Sequence, residues 1–307
     1  MDAEVARAGP IQGQLMLSPG TRVGDYVIIR RVAVGGSSDV YQARHPEDGT
    51  WVAVKMLSAS ASLHGEVVAR FLNEAQTLQQ LEHPHLVKAL ALGALPDDGP
   101  PFLVLEWLPN SLHEVLQACG GRLPLGDCIQ VLRQLAQVLR YLHERGVIHR
   151  DVKPANVLVA QDAAGALDLR LTDLGLARLV PEDGAPLPPL HVSTAREALL
   201  GTGEYMAPEQ WTSPKGVDAR VDVYALGALA FHLLVGEPPF GSGVNSALNF
   251  LHVTKPPPLS RLQGLAPESM SALLGSMLAK RAGGRPSLEE IQRTLDAIEN
   301  EVARGSG

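Results

Sequence analysis

Apolar and polar positions alternate through the first hundred residues and then give way to a helical period. Tyr26 to Val34 and Asp39 to Ala43 are rich in branched residues and are joined by Gly35-Gly36-Ser37-Ser38, which predicts strand, glycine-containing turn and strand. His45 to Thr50, with Pro46 and Asp48-Gly49, predicts a second hairpin turn into a strand over Trp51 to Leu57. In Gly65 to Leu81 the apolar residues Val67, Val68, Phe71, Leu72, Ala75 and Leu78 fall at helical spacing. Leu86 to Leu95 and Phe102 to Leu108 return to strand character, split by a turn over Pro96 to Pro101.

From Ser111 the period lengthens. Ile129, Leu132, Leu135, Ala136, Leu139 and Leu142 recur every three or four positions and predict a long amphipathic helix stopped by Gly146. Val157-Leu158-Val159 and the alternating Leu167, Leu169 and Leu171 predict short strands. Pro181 to Pro189 excludes both helix and central strand. The most apolar stretch, Val221 to Val235, contains Asp222 and His232 and falls short of the roughly 20 residues a membrane helix needs. It is expected as a buried core helix. Residues 1–20 are expected to be a flexible lead-in, and residues 304–307 a frayed end.

Composition narrows the classes. At 307 residues, 45% of them hydrophobic, the chain is too apolar for a disordered protein and long enough for two lobes. Against 26 Lys and Arg stand 33 Asp and Glu, a formal charge of −7, so there is no electrostatic case for nucleic acid or an anionic membrane as partner. Cys119 and Cys128 are too few for a disulfide scaffold. With no secretory signal in the first 20 residues, a cytoplasmic protein is expected.

The densest chemistry lies in His149-Arg150-Asp151-Val152-Lys153-Pro154-Ala155-Asn156, a polar loop between buried elements. Taken alone it is a charged turn. Phosphoryl transfer, however, needs a carboxylate to orient the attacking hydroxyl, cations on the phosphates and oxygen ligands for magnesium, which Asp151, Lys153 and Asn156 could supply. Lys55, in the middle of an apolar strand, and Glu74, on the helix that follows, are by themselves ordinary surface residues. His83-Pro84-His85 has only a superficial likeness to a metal tract, because a proline between two histidines before a Leu-Val pair marks a turn.

In order along the chain, these residues resemble the protein kinase family, bacterial members of the eukaryotic-like (Hanks) type. The loop matches H-R-D-x-K-P-x-N in its serine/threonine form, Val52-Ala53-Val54-Lys55 matches V-A-I-K, Thr172-Asp173-Leu174-Gly175 matches D-F-G with leucine for phenylalanine, and Ala207-Pro208-Glu209 matches A-P-E. The resemblance covers nearly all of residues 21–300. It implies an α+β, two-lobed fold: a small N-lobe over 21–107, with a five-stranded antiparallel sheet and one helix, and a larger, mainly helical C-lobe over 108–303, with the activation segment at 173–209. Gly201-Thr202 and Tyr205 stand before A-P-E as in serine/threonine kinases, where the threonine helps shape the acceptor groove. Asp222 resembles the aspartate that braces the catalytic loop, and Arg285 the arginine that pairs with the Glu209 position.

The resemblance further implies ATP and magnesium, with manganese as a substitute. Adenine would lie between Val40 and Ala53 on one side and Leu158 on the other, bonded by backbone near Glu106 and Leu108, with Leu105 guarding the pocket. Lys55, held by Glu74, would grip the inner phosphates under the loop Val32-Ala33-Val34-Gly35-Gly36-Ser37-Ser38. Asp173 and Asn156 would hold the metal, Asp151 would orient the acceptor hydroxyl, and Lys153 would offset the transferred charge. Ser193 and Thr194 are candidate regulatory phosphosites that Arg150 would pair with. Protein substrates are the implied partners, and such kinases also pair through their N-lobes. Relatives often carry a membrane helix and sensor after the kinase; this chain is expected to be a soluble or trimmed member.

One departure bears on activity. Alignment on Val40 puts Ala33, Gly35 and Ser38 at the three G-x-G-x-x-G positions, so only the middle glycine is kept, which implies weaker ATP binding or slower turnover. It also supports a rival reading, a pseudokinase acting as a nucleotide-responsive scaffold. A kinase-like enzyme acting on a small molecule is a third.

Overall fold

The computed structural model describes residues 17–161, 165–174, 178–179, 203–213 and 217–305. The chain divides into two compact units, Met1–Gln76 with Ala89–Trp107, and Thr77–Lys88 with Leu108–Gly307.

The first unit is built on an antiparallel sheet. Its strands are β1 (Arg22–Val23), β2 (Tyr26–Val34), β3 (Ser38–Arg44), β4 (Trp51–Leu57), β5 (Ala89–Ala94) and β6 (Pro101–Glu106), in the order β1-β2-β3-β4-β6-β5. The expected five strands are thus joined by a sixth, a two-residue strand that folds back on β2 through Gly24 at φ 56° and buries Val23 completely. Period-two alternation sends Val52, Val54 and Met56 of β4 into a core with Ile28, Tyr41, Ala43, Phe102 and Val104. Lys55 therefore projects from the opposite face, beside its cross-strand neighbours Val40 and Leu103. Two helices follow β4 where one was expected. The single turn α1 (Ala59–Ser62) is capped by the Ser58 side chain, and α2 (Gly65–Gln79) buries Phe71 and Ala75.

Leu86 and Val87 do not belong to the strand expected over Leu86 to Leu95. They are buried in the second unit, where Leu86 bridges to Leu171 in parallel and the Val87 N–H donates to the Leu171 carbonyl at 2.9 Å.

That second unit is mainly helical. It contains α3 (Leu112–Ala118), α4 (Leu125–His143), α5 (Pro208–Thr212), α6 (Arg220–Val235), α7 (Asn245–Thr254), α8 (Glu268–Met277) and α9 (Leu288–Gly305). Two small antiparallel sheets accompany them: β10 (Leu167–Leu171), β9 (Val157–Gln161) and β7 (Asn110–Ser111), and β11 (Arg178–Leu179) with β8 (Val147–Ile148). A capping box between Ser111 and Glu114 starts α3. α4 buries the predicted stripe Ile129, Leu132, Leu135, Ala136, Leu139 and Leu142 against α6 and α9. α6 is apolar around its circumference and buried around it as well. Gly227 lets α8 approach closely, since a Cβ there would stand 2.8 Å from the Met277 Cβ. Among the described residues, no helix is long and apolar enough to cross a membrane.

Candidate active site

The predicted site residues fall into two sets, one in each unit. In the first, Lys55 Nζ lies 2.7 Å from Glu74 Oε1, and the two side chains are only 13% and 8% exposed. β4 supplies the cation and α2 the carboxylate. Next to them, Gly35 N–H donates to the Ser38 carbonyl at 2.9 Å and Ser58 N–H to the Ser37 carbonyl at 2.9 Å, closing the β2–β3 turn onto the end of β4. A Cβ on Gly35 would stand 2.6 Å from the Ser38 carbonyl oxygen, so the one glycine kept from the motif is the one this turn cannot replace. Val32 is half-buried, Ala33, Val34 and Gly36 are exposed, and Ser37, Ser38 and Val40 are half-buried. Ala53 pairs with Leu105, which is buried, and Glu106 ends β6.

The second set is organised by α6. Asp222, wholly buried, accepts from His149 N–H at 2.9 Å, from Arg150 N–H at 2.7 Å and from His143 Nε2 at 2.7 Å. This fixes the main chain of the loop where Arg150 takes φ 68°. The sequence signals the aspartate but not its histidine partner, which comes from the end of α4. His149 is also fully buried; its Nδ1 accepts from Asp151 N–H at 3.3 Å and its Nε2 faces the Thr172 carbonyl at 3.0 Å, an arrangement met by the neutral ring protonated at Nε2.

Asp151 is the meeting point. Its Oδ2 receives Lys153 Nζ at 2.8 Å and Asn156 Nδ2 at 2.9 Å, and Asn156 Nδ2 also reaches the Asp151 carbonyl at 2.8 Å. Burial lifts the Asp151 carboxyl above its usual range and the neighbouring Asp173 charge adds to this, while Lys153 pulls the other way. Asp173, at φ 66°, follows Thr172, whose N–H donates to the Asn156 carbonyl at 3.0 Å. With its amide hydrogens turned to Asp151, Asn156 directs its oxygen elsewhere. That oxygen and the Asp173 carboxylate are hard donors of the type magnesium takes, and the Asp151–Asp173 repulsion is one that a cation would relieve. Leu158 is half-buried on β9, and Leu108 is buried at the start of the unit.

Further along, Arg285 forks onto both Glu209 oxygens and donates to the Arg220 and Ala279 carbonyls. Gln210 Nε2 reaches the Arg150 carbonyl at 3.1 Å, tying α5 to the catalytic loop, a link the sequence does not announce. Ser193, Thr194, Gly201-Thr202, Gly175 and Pro181 to Pro189 lie outside the described residues.

Comparison with known proteins agrees with this arrangement. Serine/threonine-protein kinase Pkn1 of Myxococcus xanthus is 35% identical over 239 residues, covering 78% of this chain and 33% of that protein. PknF of Mycobacterium tuberculosis is 34% identical over 286 residues, covering 91% of this chain and 56% of its own length. PknB of the same organism is 33% identical over 291 residues, covering 93% and 44%. The chain thus spans from about a third to somewhat over half of these relatives. The profile of the protein kinase domain matches residues 26–295, from the first residue of β2 into the last helix, and the chain belongs to that family.

Proposed function

We propose that this protein transfers the γ-phosphoryl group of ATP to serine and threonine hydroxyls of other proteins, with magnesium. The observation that carries the reading is Asp151: a buried carboxylate whose proton affinity is raised, held by Lys153 and Asn156. In the step, the hydroxyl oxygen bonds to the γ-phosphorus, the bond to the β–γ bridging oxygen breaks, ADP leaves, and the hydroxyl proton passes to Asp151. Lys153 balances charge on the transferred group, and Lys55, steadied by Glu74, grips the inner phosphates. Magnesium, held by Asp173 and Asn156, would neutralise the phosphate oxygens. By the family's pattern, adenine contacts are assigned to the backbone near Glu106 and Leu108 and to the side chains of Val40, Ala53 and Leu158. Phosphate on Ser193 or Thr194 would give Arg150 an anion to pair with and so order the activation segment. The site of action is the cytoplasm, and pairing of two copies through the N-lobe belongs to the same proposal.

Incubation with magnesium and ATP, with Asp151→Asn as control, tests the reading. Phosphoserine or phosphothreonine on protein should appear with the wild type and fall by roughly 10²-fold or more in the variant. Nucleotide binding without any transfer would instead establish the scaffold reading.

A further inference from the structure

The residue after β4, Ser58, is bonded through its N–H, its side chain and its carbonyl. Its N–H donates to the Ser37 carbonyl at 2.9 Å, which carries the β3–β4 ladder one residue past its last pair, Ser38 with Leu57, and into the β2–β3 turn. Its Oγ accepts from Ala61 N–H at 3.2 Å and so starts α1, and it also lies 3.2 Å from Ser60 Oγ. Its carbonyl accepts from Ser62 N–H and from Ser62 Oγ, both at 3.0 Å. Leu57 before it and Ala61 after it are buried, so the residue is fixed from both sides. Three positions back along the same run stands Lys55, bonded to Glu74 at 2.7 Å. On the loop side, Gly36 is exposed, and a Cβ on it would meet nothing within 4 Å. What holds the tip of the turn is therefore the Ser37 carbonyl on one side of Ser38 and the Gly35 bond to Ser38 on the other.

We propose that Ser58 is a positioning residue for the phosphate loop: through its N–H it holds the Ser37 carbonyl, and so fixes residues 35–38 relative to the Lys55 amine. The inference rests on the protein-kinase reading above and deepens it. Ala33 and Ser38 stand where the motif has glycine, and each Cβ narrows the conformations by which the loop could settle onto phosphates. A tether from outside the motif replaces that adaptability with a fixed position. Ser58 acts only through the loop, so its loss should be felt by ligands that carry phosphates and not by one that carries adenine and ribose alone.

Calorimetric titration with ATP, ADP and adenosine, in the presence of magnesium, tests this on Ser58→Pro, Ser58→Ala and Ser58→Asn. Ser58 takes φ −65° and ψ 152°, angles that proline accepts, so Ser58→Pro removes the N–H and the hydroxyl with little demand on the backbone. Ser58→Ala removes the hydroxyl alone, and the difference between the two reads the N–H. Ser58→Pro should weaken ATP and ADP by roughly three- to tenfold, the range expected for one hydrogen bond, and leave adenosine unchanged. Ser58→Asn keeps both the N–H and a capping side chain and should bind ATP as the wild type does, with Ser58→Ala between the two. A merely structural serine would lower stability in urea while weakening ATP and adenosine alike, or neither, and that result would overturn the proposal. Should Ser58→Pro fail to fold, Ala and Asn decide: equal ATP affinities in those two overturn it. If the wild type binds no ATP, the kinase reading falls and this inference with it, whereas a wild type and a Ser58→Pro protein that bind ATP equally sink the Ser58 assignment alone.

Discussion

Replacing Asp222 by asparagine perturbs the site without touching a reacting group. The carboxylate accepts three hydrogen bonds, from His149 N–H, Arg150 N–H and His143 Nε2. An asparagine keeps one oxygen and turns its NH2 toward at least one of those donors, so it both loses bonds and sets donor against donor. Hydrogen bonds to a charged group contribute about 1.5–3 kcal/mol each, and breaking a buried charged cluster typically costs about 3–5 kcal/mol. We expect a loss of about 3–5 kcal/mol in urea unfolding at pH 7, together with a fall in phosphoryl transfer on the order of 10²-fold as Asp151 moves out of line. The pH dependence has a definite sign. Burial opposes ionisation of Asp222, but the hydrogen bond and charge of His143, with the Arg150 N–H, outweigh it and hold the carboxyl below its ordinary range. Its contribution is therefore complete above the unfolded carboxyl value of about 3.9 and is lost as pH falls through the lower folded value. The asparagine variant should lack that acid-side component. A destabilisation under about 1 kcal/mol with transfer within about twofold of wild type would refute the bracing argument.

Three further outcomes are expected. Lys55→Met strands Glu74 in a site where that carboxylate is 8% exposed, so it should abolish measurable transfer and lower stability; Glu74→Gln should be the milder of the two, and equal losses in transfer would count against the ion pair. Ser38→Gly should improve the KM for ATP or the rate at a cost of about 0.5–1 kcal/mol in β3, whereas Gly35→Ala should worsen both, because its Cβ meets the Ser38 carbonyl; the reverse order would contradict the account of the loop. His252 is wholly buried, and burial followed by the Lys280 charge lowers its pKa from 6.5 to about 4. Between those values the unfolded chain binds the proton and the folded chain does not, so stability should fall as pH drops from 6.5 to 4, by about 3 kcal/mol in all. His252→Gln should flatten that slope in urea titrations, and superimposable slopes would dismiss it.

What the sequence discloses and what it withholds follow from the range of each interaction. β2 and β4 are legible to the residue because a period of two and a glycine turn are local properties, and the 149–156 loop is legible because five of its functional groups are neighbours in the chain. β1 is two residues long and carries no period at all. Leu86 has the same apolar character as the strand after it, and only its tertiary partner Leu171 removes it from that strand. His143 with Asp222, Gln210 with Arg150 and Tyr205 with His232 are separated by 79, 60 and 27 positions. A histidine at a helix end looks the same whether it faces water or a buried carboxylate.

The backbone of the site was hidden for a related reason. Of the non-glycine residues described at positive φ, Asp97 and Asp98 occupy the β5–β6 turn, while Arg150 lies in the 149–156 loop and Asp173 just after β10. Such conformations cost of order 1–3 kcal/mol and persist only where the surroundings over-determine them. Around Arg150 those surroundings are Asp222 on its N–H and Gln210 on its carbonyl. Around Asp173 they are the Thr172 N–H on the Asn156 carbonyl and the Thr172 carbonyl facing His149. The two strained residues are restrained by different elements, yet both restraints pass through the loop His149 to Asn156 that holds the Asp151–Lys153–Asn156 cluster. On the proposed function the eight-residue loop thus carries both the chemistry and the strain, and this is why Asp222, outside the proposed reacting groups, is expected to control the rate.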